Sequence, residues 1–115
     1  MVDVAQHLDM DALSELKMLM GDEFPLLVET FSNDSIVRIE AIKEAVATAK
    51  CEDIRRAAHS FKGSAGNMAA LKLTELCHSL EELAHAGVTD GCDTLRQGIE
   101  QEYDHVKAAL QGLLQ

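Results

Sequence analysis

The chain has 115 residues, enough for one compact domain with a modest core. A formal net charge of -10 weighs against nucleic acid and anionic lipid as partners, because their phosphates reward basic surfaces. Aromatics are 3%, tryptophan is absent and Pro25 is the single proline, so the core must come from Leu, Ile, Val, Ala and Met. Little punctuation remains for a many-stranded fold, and good helix formers dominate. Cys51, Cys77 and Cys92 lack CxxC spacing, which reads as reduced thiols and not as a disulfide framework or thiolate metal cluster. Met1 to Gln6 has no basic segment followed by an apolar one, and no run approaches about 18 apolar residues. A cytoplasmic protein that makes no use of a membrane is therefore expected.

Five helical segments are predicted, with no internal repeat or low-complexity linker. The first runs from Asp9, a plausible N-cap, to Met20, with Leu13, Leu16 and Met20 on one face and Gly21 ending it. The second begins near Asp22, with Pro25 tolerated in its first turn. It carries Phe24, Leu27, Val28 and Phe31, then Ile39, Ile42 and Val46, and Ser32 to Ser35 is a candidate bend. The third starts around Glu52 or Asp53. The fourth covers Ala70 to Ala86, with Gly87 as its stop. After a loop from Val88 to Gly91, the fifth runs from Cys92 to Leu114, with Leu95, Ile99, Tyr103, Val106, Leu110 and Leu113 spaced by threes and fours. Short connections between long amphipathic helices imply an all-α, antiparallel up-down four-helix bundle with a short N-terminal helix on one end. Residues 1–115 are expected to form that single domain.

The third helix carries two stripes. Ile54, Ala58, Phe61, Ala65 and Met68 make the buried one. His59, Lys62, Gly63 and Gly66 make a second, rotated by roughly 120° at ~100° per residue. The histidine thus falls on the flank of the core, where a neutral imidazole can offer one ring nitrogen as a nucleophile. Lys62, a neighbour at i,i+3, can attract the oxygens of an incoming phosphoryl group. Glycine costs a helix interior about 1 kcal/mol relative to alanine, so Gly63 and Gly66 suggest that something must come close.

His59-Ser60-Phe61-Lys62-Gly63-Ser64-Ala65-Gly66-Asn67-Met68-Ala69-Ala70-Leu71 resembles the signature of histidine-containing phosphotransfer (HPt) domains. The likeness continues through Leu73, Leu76, Cys77, Leu80 and Glu81. It implies that His59 accepts phosphate from an aspartyl-phosphate on a receiver domain and passes it to another, in line through Nε2. Lys62 would neutralise the phosphoryl oxygens, and Gly63 would admit the receiver's active site. The receiver supplies the Asp and Mg²⁺, so no intrinsic metal or autonomous ATP-dependent kinase activity is expected. Receiver domains of response regulators or a hybrid sensor histidine kinase are the implied partners. One departure is Ala69, where the family commonly has glycine; an added methyl there is expected to alter helix packing slightly.

On the fourth helix, Leu73, Leu76, Cys77, Leu80, Leu83 and Ala84 form the core stripe. Glu81 lies about 100° from its centre, whereas Glu82 points nearly opposite the core. Glu81 can reach across the helix pair, and the corresponding family position, often Glu or Gln, bonds the histidine's Nδ1. Cys77 reads as a small core residue. His7, His78, His85 and His105 lack the Lys-Gly context and are expected at the surface. Ser64 and Gly66 belong to the expected binding face. The first helix has more apolar residues than one face can bury, so Met18 and Leu19 are expected to join a docking patch.

Two other classes compete. Glu82-x-x-His85 and Glu102-x-x-His105 match the spacing of di-iron bundles, but on the fourth helix that pair projects away from the core. A purely structural adaptor would make His59 incidental. The start at Met1 and the lack of a kinase or receiver module suggest a stand-alone carrier, and a monomer is the simpler expectation.

Overall fold

A computed structural model describes residues 4–114, and side chains from residue 6 onward. Four long helices carry the fold: α3 (Phe24–Thr48), α4 (Cys51–Asn67), α5 (Leu71–His85) and α6 (Cys92–Gly112). Two shorter ones, α1 (Val4–His7) and α2 (Met10–Met20), precede them. Short connections fold the long helices back on one another, α4 packing chiefly on α5 and α3, and α6 closing the bundle against both. The body measures 42 × 26 × 18 Å. No strand is present among the described residues; one isolated bridge joins Leu8 to Ala70.

Each helix follows its sequence logic. Asp9 caps α2, its carboxylate accepting from the Ala12 amide at 3.2 Å. Gly21, at φ 55°, ends it, as its missing Cβ allows. A 3₁₀ turn, Gly21–Glu23, leads into α3, so the α-helix starts two residues after the expected Asp22. Ser32 to Ser35 makes no break, and α3 runs for 25 residues. The Ser32 hydroxyl donates to the Val28 carbonyl, and the Tyr103 hydroxyl donates to the Ser32 carbonyl at 3.1 Å, which ties α3 to α6. The core stripes are those the periodicity predicts: Ile54, Ala58, Phe61, Ala65 and Met68 from α4, with Leu73, Cys77, Leu80 and Ala84 from α5. Leu76 and Leu83 are half-buried at its edge. Burial pushes the Cys77 thiol up to about 12, with Glu81 adding to the effect, so it holds its proton and packs as an apolar residue.

One expectation needs correction. His7 is not a surface residue. It is 6% exposed, its Nδ1 sits 2.5 Å from the buried Glu102 Oε2, and its ring stacks on His105. A carboxylate inside the bundle needs such a partner, and α1, too short for a periodic signal, delivers it. Ala69 stands where the family commonly has glycine, and it packs against the core. Its strain lies in the backbone, at φ 55°. The Ala69 amide donates to the Gly66 carbonyl and the Ala70 amide to the Ala65 carbonyl, the paired bonds of a Schellman ending whose left-handed position favours glycine.

Candidate functional site

Helix α4 begins with Glu52 and Asp53 in its first turn, where carboxylates suit the helix dipole, and contains no proline. Its buried stripe fixes its rotation in the bundle, and that rotation turns His59 outward. The His59 side chain is 64% exposed, yet its position is defined. Its Nδ1 lies 2.6 Å from Glu81 Oε2 on the neighbouring α5. An ionised carboxylate has no hydrogen to give, so Nδ1 carries it and donates. Nε2 then keeps its lone pair and faces solvent.

Glu81 is only 15% exposed and also holds Lys62, whose Nζ is 2.6 Å from Oε1. Burial by itself would raise the Glu81 carboxyl, but hydrogen bonds and charge from Lys62 and His59 outweigh it and hold the group below its ordinary range. His59, Lys62 and Glu81 are thus joined through one carboxylate. Glu82, one residue on, is exposed and remains outside the cluster.

The glycines have a separate meaning. A Cβ built on Gly63 or Gly66 would meet nothing within 4 Å. Nothing inside the molecule requires glycine there, and both sit in regular helix. Their bareness matters only to something arriving from outside. Ser64 and Asn67 border a shallow recess between α3 and α4, with Leu27, Thr30 and Asp34 opposite.

Met18 and Leu19 are 84% and 85% exposed on α2. They lie at the end of the bundle where α4 stops: the Asp9 amide donates to the Ala69 carbonyl, and Lys17 donates to the Leu113 carbonyl. His59 is about 12 Å along α4 from that end, at 1.5 Å per residue. Exposed Val37 is nearer, lining a recess with Arg38 and Ser60. Arg38, held by Asp34, donates to the hydroxyl of Ser60, the residue after the histidine. Sequence reading missed Arg38; its one signal was the Asp34 partner four residues earlier.

Among the described residues no group of three His, Cys, Asp or Glu side chains converges as a metal site. The carboxylates and histidines of the di-iron spacing do not converge either. Glu82 and His85 face solvent, and Glu102 is engaged with His7.

Residues 26–109 match the Hpt domain family. The chain belongs to that family. It is 29% identical over 110 residues to histidine-containing phosphotransfer protein 2 of Arabidopsis thaliana, covering 90% of this chain and 70% of that protein. The crystal structure of histidine-containing phosphotransfer protein B (HptB) from Pseudomonas aeruginosa PAO1 superposes with a TM-score of 0.89 at 35% identity, over 92% of each chain. The histidine-containing phosphotransfer protein ZmHP2 from maize shares the fold, with a TM-score of 0.85 at 20% identity, over 97% of this chain and 86% of that one. The chain is accordingly a histidine phosphotransfer protein of a phosphorelay, a phosphoryl carrier and not a kinase. No helix among the described residues is long and apolar enough to cross a membrane.

Proposed function

We propose that His59 is the phospho-acceptor and that the chain shuttles a phosphoryl group between aspartates of receiver domains. One observation carries this reading: an exposed Nε2 whose opposite nitrogen is fixed by Glu81, on a helix face left bare by Gly63 and Gly66. Nε2 attacks phosphorus in line while the acyl phosphate's P–O bond breaks. The receiver's aspartate leaves as a carboxylate. The hydrogen on Nδ1 stays, so the ring becomes cationic beside Glu81. That carboxylate stabilises charge that develops only on transfer. Lys62 meets the phosphoryl oxygens from its own side, and the receiver brings Mg²⁺.

The receiver, free or within a hybrid sensor histidine kinase, would settle over Gly63 and Gly66 with Ser64 at the border. Met18 and Leu19 extend the docking surface at the bundle end. Residues 1–115 act as one Hpt module, monomeric and cytoplasmic. Incubation with a phosphorylated receiver tests this. Label on the chain should be acid-labile and base-stable, and His59→Gln should lose it while keeping helicity. Equal labelling of that variant refutes the assignment. Polar replacement of Met18 and Leu19 should slow transfer in a folded protein; unchanged kinetics would remove those two residues from the docking surface.

A further inference from the structure

Lys62 does not wait in solvent. In the resting protein it is bound to Glu81 Oε1, and if it moves to an incoming phosphoryl group, that buried oxygen loses its counter-charge on a side chain only 15% exposed. A second side chain stands near the same oxygen. His78, one turn earlier on α5, has its Nδ1 3.9 Å from Glu81 Oε1, and its Nε2 3.7 Å from Glu82 Oε1. His78 and Lys62 share the walls of an open cleft of about 290 Å³ with Arg55, Glu81, Glu82 and His85, so both side chains have room to move. Arg55 is not free to substitute, since Glu52 holds it through two hydrogen bonds, at 2.6 and 3.0 Å.

We infer that His78 is a positioning residue for phosphotransfer, taking over Glu81 Oε1 as an imidazolium when Lys62 turns to the phosphoryl group on His59. The step is an exchange of counter-ions around one carboxylate. Before transfer, Glu81 is held by His59 Nδ1–H and Lys62. Afterwards it is held by the cationic His59 ring and His78, which takes its proton from solvent. Glu81 thereby stays ionised beside the His59 ring in both states. This inference rests on His59 as the acceptor.

The test uses the intact chain with a phosphorylated receiver. On phosphorylation at constant neutral pH, the His78 ring resonances should move toward their imidazolium positions. His78→Gln should shift the equilibrium away from phospho-His59 by about two- to fivefold on the acid side of the histidine range, the size expected of an exposed ion pair. On the alkaline side it should partition as the wild type does. Phosphohistidine that forms with unmoved His78 resonances, and with equal partition for His78→Gln at both pH values, overturns the exchange. Absence of phosphohistidine altogether overturns the acceptor assignment, and the exchange with it.

Discussion

Two histidines in this bundle make nearly the same bond. His59 Nδ1 lies 2.6 Å from Glu81, and His7 Nδ1 lies 2.5 Å from Glu102. Their surroundings differ. The His59 side chain is 64% exposed and the His7 side chain 8%. Glu81 has a second partner in Lys62, while His7 has a stacked neighbour in His105. At His59 the carboxylate fixes one nitrogen and leaves the other free, as the proposed transfer requires. At His7 the same pairing satisfies a buried charge and fastens α1 to the bundle. A histidine–carboxylate pair is therefore not by itself a sign of chemistry. The free nitrogen and the open approach decide.

Breaking each pair should give opposite signatures, and this is the largest effect expected. His7→Leu leaves Glu102 buried without its partner and should cost about 3–5 kcal/mol, read from urea unfolding, yet the folded protein should still accept phosphate. His59→Gln should abolish labelling and change stability by no more than about 0.5 kcal/mol, as an exposed substitution does. Changing His7 and Glu102 together to leucine should recover much of the loss. If His7→Leu abolishes labelling of folded protein, the two pairs are not functionally distinct.

The glycines sharpen the contrast from the other side. Gly63→Ala and Gly66→Ala should each stabilise the protein by about 0.5–1 kcal/mol, because alanine is the better helix former and the new methyl meets nothing. Transfer from a receiver should nevertheless slow, most at Gly63, one turn after His59. A gain in stability joined to a loss of transfer separates a face shaped for a partner from one shaped for folding. Faster or unchanged transfer in both variants would remove the glycines from the docking surface.

Most of the α4 face was legible in the sequence because helical phase converts spacing into direction. Phe61 and Ala65 had to be inside if His59, Lys62 and Gly63 were outside, and the same logic separated Glu81 from Glu82. What phase cannot convey is which residues from distant segments meet. His7 and Glu102 are 95 positions apart, and α1 spans four residues, too few for a period. Arg38 and Ser60 were hidden for the same reason, since their contact depends on the register between α3 and α4. Ala69 drew notice only as a departure from a pattern; its physical meaning needed the backbone angle.

That angle supplies a smaller test, placed at the end of α4 and away from His59. Ala69→Gly should stabilise the chain by about 1 kcal/mol, by relieving a left-handed alanine, and leave transfer unchanged. A destabilised Ala69→Gly would mean that the methyl contributes packing worth more than the strain.

The smallest effect expected is the acid response of Glu81, and it returns to the paired carboxylates. Lys62 and His59 lower the Glu81 carboxyl in the folded protein, against the opposing pull of burial. In the unfolded chain the same group titrates near the ordinary value of about 4.3. A lowered folded value means that the unfolded state takes up the proton first as pH falls. The stability contributed by Glu81 is thus fully present above the unfolded value and is lost as pH drops through the folded one. Glu81→Gln can still accept from His59 Nδ1 but has no such titration. The stability difference between wild type and Glu81→Gln should be flat above about pH 5 and shrink below about pH 4. Urea unfolding at a series of pH values reads it directly. A difference that stays constant into the acid range would mean that Lys62 and His59 do not hold this carboxylate, and that the orienting bond at His59 must come from another source.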